Sequence, residues 1–437
     1  MTGLVWCFIT SIVHAQSRSI LCGNEIFTTN VRKNYPSLMG AFDATFQHAQ
    51  DTPFPRHSDP WIVNVVVHVV WNDMVENLDD SIIQDQIRVL NEDFNRLNAD
   101  TNNLRAFFKP EAGSAGIQFH LAQTVRVQTD AIFDIGLTDT NIIPEVKHNA
   151  DGGSDAWDPA HYLNIWVCKI QPVTIFGIEV GQVLGFAFPP NNLGNWPADS
   201  GAPIPGEDGV VIDYRVFGSN NPNIIEIAGG GALDVKGRTP VHEVGHYFGL
   251  RHIWGDGGLL GPNDCAQSDG IDDTPYADEQ SSFDCDTTKN SCTQLETHYN
   301  ADAPDLVENF MDYASETCMN MFTHGQVELM DNVLTGPRSG LLEPPSGVRD
   351  LNAFTSFSIL PNPTEGAFDM VFELKEITNA TLRVLNAGGQ VIAFKADEKY
   401  LPGTHRVQFS GLPLEPGMYF VDIRNEHDAH TGKVIVY

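Results

Sequence analysis

The sequence predicts an α/β (α+β) domain of buried strands and amphipathic helices, followed by a small all-β sandwich. Three observations carry this. Residues 61–71, WIVNVVVHVVW, are a nearly continuous run of mostly β-branched apolar residues, the pattern of a strand buried on both faces. Helical periodicity follows: Ile83, Ile87, Leu90, Phe94 and Leu97 share one face, behind Ser81 and Gln84 at capping-box spacing. Beyond the linker TGPRSGLLEPPSG, which ends near residue 347, short alternating stretches are broken by turns such as LPNPTEG, NAGGQ, LPGT and EPGMY.

The bulk numbers bound the possibilities. A chain of 437 residues can hold two or three domains, each with its own core. Its 25 basic against 57 acidic residues leave a net charge of −32, which argues against nucleic acid or an anionic membrane as partner. The first residues read MTGLVWCFITSIVHAQ, with an apolar run from Leu4 to Val13 ahead of Ala15. This predicts a signal peptide over residues 1–15, cut before Gln16, although no Lys or Arg precedes the apolar run. No other apolar stretch reaches the roughly 18 residues of a membrane span.

Once Cys7 leaves with the signal, the cysteines are Cys22, Cys168, Cys265, Cys285, Cys292 and Cys318. The last four are too widely spaced for a Cys-type zinc site and suit disulfides in an exported protein. Cys168 lies in an apolar strand and reads as a buried, inert thiol.

Taken in order, residues 16–57 carry no core pattern, contain Cys22-Gly23, and read as a pro-segment. Residues 58–340 form the main folded unit. After the first strand and helix, further strands are expected at GIQFHLA, YLNIWVCKI, LGFAFP and DGVVIDYRVFG, separated by Gly, Pro, Asn and Asp turns. A second helix starts with Thr239 as cap and Pro240 at its first position. A third begins at Thr323, with Gln326 three residues on and Phe322 and Val327 placed as a hydrophobic staple. Residues 341–350 are a linker, and 351–437 the sandwich.

The second helix carries HEVGHYFGLRH. His242 and His246 are four apart, so at about 3.6 residues per turn both imidazoles point the same way. His252 lies six residues further on, and in a continued helix it would point roughly 120° away. Gly249 can take the left-handed conformation that ends a helix and turns the chain back, bringing the third imidazole to the same ion. Three imidazoles on zinc leave one position open, the mark of a catalytic site. Glu243, the residue after the first ligand, is about 100° round the helix. There it can take a proton from an attacking water and pass it to a leaving amine.

At this point the chain resembles the metzincin metalloproteases, specifically the pappalysin (cytophagalysin-like) family. HEVGHYFGLRHIWGD is similar to that family's extended zinc motif, and ENFMDYASETCMNMFTHGQ to its Met-turn and following helix. The resemblance spans roughly residues 58–338. It implies a two-lobed catalytic domain with a twisted, mixed five-stranded sheet, an active-site helix beneath the cleft, and an antiparallel edge strand facing substrate. The implied activity is that of a secreted zinc endopeptidase acting on proteins or peptides.

The resemblance also implies roles for single residues. Met311 would lie under the zinc site, and Tyr313 would donate its hydroxyl to the developing oxyanion. The family's two disulfides, transferred by order, pair Cys265 with Cys292 and Cys285 with Cys318; the residues themselves permit three pairings. CAQSDGIDDTPYAD is similar to the family's calcium loop, with Asp269 offering its side chain and Thr274 its carbonyl, oxygen ligands that suit calcium. Glu316 stands where relatives that cut before basic residues carry an acid, implying a preference for Arg or Lys after the scissile bond. Cys22 resembles a cysteine switch, its thiolate taking the open zinc position so that the pro-segment inhibits its own enzyme. Arg32-Lys33 and Arg56 offer basic sites for the activating cut.

The last domain, from ILPNPTEG through LEPGMYFVDI to GKVIVY, resembles the C-terminal sorting domain of the type IX secretion pathway of Bacteroidetes. That implies recognition by the secretion machinery and a secreted or outer-surface location. A carbohydrate-binding or adhesive sandwich is the competing reading of this domain. For the whole chain, the competing class is a surface adhesin with a degenerate protease domain, against which every ligand, the base and the tyrosine are present.

Overall fold

The computed structural model describes residues 19–22, 60–135, 143–175, 178–190, 202–226, 232–255, 265, 268–342, 354–374, 378–386, 391–412, 414–424 and 429–437. The expected signal peptide, Gly23, Arg32-Lys33, Arg56 and residues 343–350 of the expected linker lie outside them. Two compact units divide the chain between Leu342 and Glu343.

The first unit is built on one mixed sheet. Its strands are β1 (Ser19–Cys22), β2 (Trp61–Trp71), β4 (Ile117–Gln128), β5 (Leu163–Cys168), β6 (Val173–Ile175), β7 (Ile178–Ala187) and β8 (Val210–Asp213). A separate two-stranded pair joins β3 (Ala112–Gly113) to β9 (Phe322–Thr323). The order in the main sheet is β1-β7-β8-β5-β2-β4, with β6 also paired to β7. Strands β8, β5, β2 and β4 run parallel, and β7 lies antiparallel to β8. The five strands implied by the resemblance are thus β7-β8-β5-β2-β4. Two more extend them, because β6 folds back on β7 and the N-terminal segment lays β1 parallel along its other side.

Strand alternation sorts side chains into two cores. Val63, Val65, Val67 and Val69 of β2 face one way, with Ile165 and Val167 of β5 and Val210 and Ile212 of β8. Onto them pack Ile83, Ile87, Leu90 and Phe94 of α1 (Asp80–Phe94), and Val241 and Val244 of α2 (Arg238–Tyr247). The opposite face holds Val70, Trp166, Cys168, Val183, Phe186 and Val211. Burial on both faces is why these strands read as continuous apolar runs.

Several boundaries differ from expectation. Asp79, not Ser81, caps α1, accepting from the Ser81 backbone N–H at 2.8 Å. Leu97 falls past the helix end and is exposed, since the chain leaves the helix at Asn95. Thr239 does not cap α2, which starts at Arg238 behind Gly237 with no side-chain cap. The strand expected at LGFAFP is the end of the longer β7, and DGVVIDYRVFG is strand only to Asp213 before a 3-10 turn at Tyr214–Val216. Residues 341 and 342, expected in the linker, close a 3-10 turn, Ser339–Leu342. The third helix, α3 (His324–Thr335), begins with both bonds of a Thr323–Gln326 capping box. Among the described residues no helix is long and apolar enough to cross a membrane.

The second unit pairs a three-stranded sheet with a four-stranded one. The first contains β10 (Phe354–Leu360), β11 (Phe368–Leu374) and β14 (Gly403–Phe409). The second runs β13 (Val391–Tyr400), β12 (Thr378–Asn386), β15 (Gly417–Arg424) and β16 (Ala429–Val436). Among the described residues, these strands pair antiparallel throughout both sheets. Phe368, Met370 and Phe372 from one sheet share a core with Leu382, Val384, Val421 and Ile423 from the other, which makes this a sandwich.

Candidate metal centre and catalytic cleft

Helix α2 ends where a residue without a side chain lets it. Gly249 has φ +93°, and its N–H reaches back to His246 O at 2.8 Å while Leu250 N–H reaches Gly245 O at 3.0 Å. This left-handed stop satisfies the last helical carbonyls and reverses the chain. His252 then returns to the face of His242 and His246. Nε2 of His246 lies 3.0 Å from Nε2 of His242 and 3.1 Å from Nε2 of His252. Two nitrogens on one tetrahedral zinc stand roughly 3.3 Å apart, so the set fits that ion.

The outer nitrogens are held by backbone. His242 Nδ1 donates to Phe310 O at 2.7 Å and His246 Nδ1 to Leu250 O at 2.8 Å. A carbonyl can only accept, so each Nδ1 carries the proton and each Nε2 lone pair points inward, as a ligand requires. Burial, with His246 and His252 alongside, holds His242 well below its usual pKa and keeps it neutral. Trp254 stacks on His252 at 4.4 Å between ring centres, with planes 7° apart.

Cys22 joins this group. Ligand atoms of Cys22, His242, His246 and His252 all lie within 4.8 Å of one another, and all four residues are buried. The backbone N–H of Cys22 donates to the Tyr313 hydroxyl oxygen at 2.9 Å. Tyr313 is itself packed against His242, His252 and Trp254. Glu243 is buried beside them, and burial pushes its carboxyl up to about 8, with a hydrogen bond from Cys22 opposing the rise. Its Oε2 finds no hydrogen-bond partner among the described residues.

Two glycines shape this space, and the sequence pattern did not single them out. A Cβ on Gly245 would stand 2.5 Å from Met311 Sδ, so the glycine inside HEVGH is what lets Met311 come up beneath the helix. Gly185 of β7 faces Glu243 in the same way. The turn that carries Met311 is tied to α3 by a reciprocal amide pair, Asn309 with Gln326, at 2.8 and 3.1 Å.

Glu316 lines a cavity beside His242 and Glu243, together with Leu184, Phe283, Ala314 and Met319. It also closes the start of α2. One carboxylate oxygen accepts from Lys236 N–H and Arg238 N–H, the other from Thr239 N–H and the Thr239 hydroxyl. A side chain far along the chain thus replaces the expected local cap.

The four clustered cysteines form two bonds, Cys265–Cys292 and Cys285–Cys318, and neither Cys22 nor Cys168 is in a disulfide. In the acidic loop, Asp269 Oδ1 accepts from Ile271 N–H at 3.0 Å and from the Thr274 hydroxyl at 2.6 Å. Asp269 Oδ2 and Asp273 Oδ1 are buried without a hydrogen-bond partner among the described residues.

With this geometry established, comparison with known proteins is decisive. A family model described as pregnancy-associated plasma protein-A matches residues 233–335, and one described as a secretion system C-terminal sorting domain matches residues 358–437. Mature mirolysin of Tannerella forsythia, solved with a cleaved peptide, is 34% identical with a TM-score of 0.53, covering 66% of this chain and 97% of that one. The chain belongs to the pappalysin family of metzincin metalloproteases. Promirolysin of the same organism matches this pappalysin at 31% identity and TM-score 0.57, over 74% of this chain and 97% of its own. An extracellular metalloprotease of Arthroderma benhamiae is 28% identical over 281 residues, 64% of this chain and 74% of that one. This pappalysin is therefore a zinc metalloprotease made as a zymogen, and its sorting tail makes it secreted or surface-attached.

Proposed function

We propose that this pappalysin is an endopeptidase that cuts on the amino side of Arg or Lys and is held latent by Cys22. The observation that carries the reading is the convergence of three inward Nε2 atoms with Glu243 and Tyr313 beside them. His242, His246 and His252 would hold zinc, and zinc bound there supplies a Lewis acid that polarises the scissile carbonyl and acidifies water.

The remaining work belongs to side chains. Glu243 takes the proton of the attacking water and delivers it to the departing amine, with its buried position limiting competing solvent. The Tyr313 hydroxyl donates to the oxyanion as charge develops on it. Met311 supports the histidines from below. In the precursor, Cys22 would help hold the metal through its sulfur while its N–H engages the Tyr313 oxygen, so one residue would occupy two parts of the machinery.

Glu316 supports the preference for a basic residue after the cut, because it brings a buried carboxylate to the cavity beside Glu243. The unpartnered Asp269 Oδ2, with the Thr274 carbonyl, supports a calcium site; burial pushes the Asp269 carboxyl up to about 8, a cost that a bound cation would offset. The domain reading is a signal peptide over 1–15, pro-segment 16–57, catalytic domain from 58 to the turn that ends at Leu342, linker to 350 and sorting domain 351–437. Glu243→Gln tests the core of the proposal: the activated variant should lose casein hydrolysis by about 10²–10⁴-fold while keeping its zinc. Full activity in that variant would remove Glu243 as the base.

A further inference from the structure

We propose that Gly185, in the edge strand β7, is a positioning residue for Glu243: the side chain it lacks is the space that the carboxylate occupies. A Cβ built on Gly185 would stand 2.6 Å from Glu243 Cγ, 2.8 Å from its Oε1 and 2.9 Å from its Cδ. All three nearest atoms belong to that one side chain. Contacts this short do not persist, so a methyl at position 185 is accommodated only by moving Glu243 or the strand.

The glycine is not there for its backbone. Its φ lies outside the left-handed region; it pairs with Ile212 of β8 on one side and, just past a register shift that skips Leu184, with Cys22 of β1 on the other. An alanine could adopt that conformation, and glycine inside a strand is destabilising relative to alanine. What glycine supplies is clearance. The strand can lie close enough to α2 for Glu243 to be buried between them, and the carboxylate is held by that wall on one side. Displacing a reacting group by about 1 Å can cost on the order of 10²-fold in rate.

This inference rests on the reading of Glu243 as the base, and the experiment separates the two. The full chain carrying Gly185→Ala is expressed, activated, and compared with wild type for zinc per chain, melting temperature, kcat and KM. The expected result is about a 100-fold fall in kcat, a KM within about 2-fold, and full zinc. The same substitution is made in a Glu243→Ala chain, where the colliding side chain is gone. There it should lower neither the melting temperature nor the residual rate, and this arm holds even if Gly185→Ala alone folds poorly. Wild-type kcat in Gly185→Ala, a rise confined to KM, or an undiminished penalty in the Glu243→Ala chain would each overturn the positioning role. Retention of proteolysis by Glu243→Gln would instead overturn the base itself.

Discussion

Glu316 accepts twice from Thr239, from the backbone N–H at 2.9 Å and from the hydroxyl at 2.7 Å. With Lys236 and Arg238 on its other oxygen, it gathers three N–H groups at the start of the helix that carries His242, Glu243 and His246. An anion there also complements the helix dipole. The position of the ligands therefore depends on a residue in the loop after Met311.

Glu316→Ala strips the acceptor from those buried N–H groups. It should destabilise the protease by about 2–4 kcal/mol in urea unfolding. The milder Glu316→Gln tests selectivity: the ratio of kcat/KM for peptides with Arg against Leu after the cut should drop about 10-fold. An unchanged ratio would remove Glu316 from substrate recognition.

Gly249→Ala places a side chain at φ +93°, with its methyl 3.1 Å from Val333 Cγ2 and 3.3 Å from Pro190 Cγ. A cost of about 1–3 kcal/mol is expected from the strained conformation. Because the reversal sets His252, the variant should also lose zinc to a competing chelator sooner than wild type. Equal zinc retention would show that the third histidine finds its place without the glycine.

Acid should weaken the fold partly through His68. This ring is fully buried on β2, bonded to Ser154 and Asn164 and stacked on Trp166, with Asp155 nearby raising its proton affinity. Burial, the largest influence, holds its pKa down to about 4 from the ordinary 6.5 of histidine. Between those values the unfolded chain binds the extra proton, so the contribution is present above the upper one and fades as pH falls to the lower. The span corresponds to about 3 kcal/mol. His68→Gln should therefore show a shallower loss of unfolding free energy than wild type from pH 7 to pH 4; parallel curves would exclude His68 as a source.

Phenanthroline should abolish casein hydrolysis, and added zinc should restore it. Cys22→Ala precursor should hydrolyse casein before any chain cut is visible by intact mass. A precursor as silent as wild type would mean that Cys22 does not confer latency.

Much of the site was legible because it is local. His242, Glu243, His246, Gly249 and His252 fall within eleven residues, so helix geometry alone relates them, and the Thr323–Gln326 box is equally local. The buried strands were legible from β-branched runs, but their order was not, since either neighbour would satisfy an apolar face. Gly185 and the capping role of Glu316 were hidden because each is defined by a partner far away in the chain, Glu243 in one case and Thr239 in the other. Asp79 and Ser81 are both good caps two residues apart, and only the observed bond to Ser81 N–H separates them.

The strand Ser19–Cys22 is held to β7 by backbone pairing and to Tyr313 by the Cys22 N–H, and its covalent connection to β2 runs through residues 23–59. While the chain is whole, the encounter of this strand with the cleft is intramolecular. A cut between the strand and β2 would turn the same encounter into a bimolecular one, and a secreted molecule would lose its detached fragment to the volume outside the cell. Dilution alone would then make release of the strand a one-way event, without any need for the fragment to bind weakly.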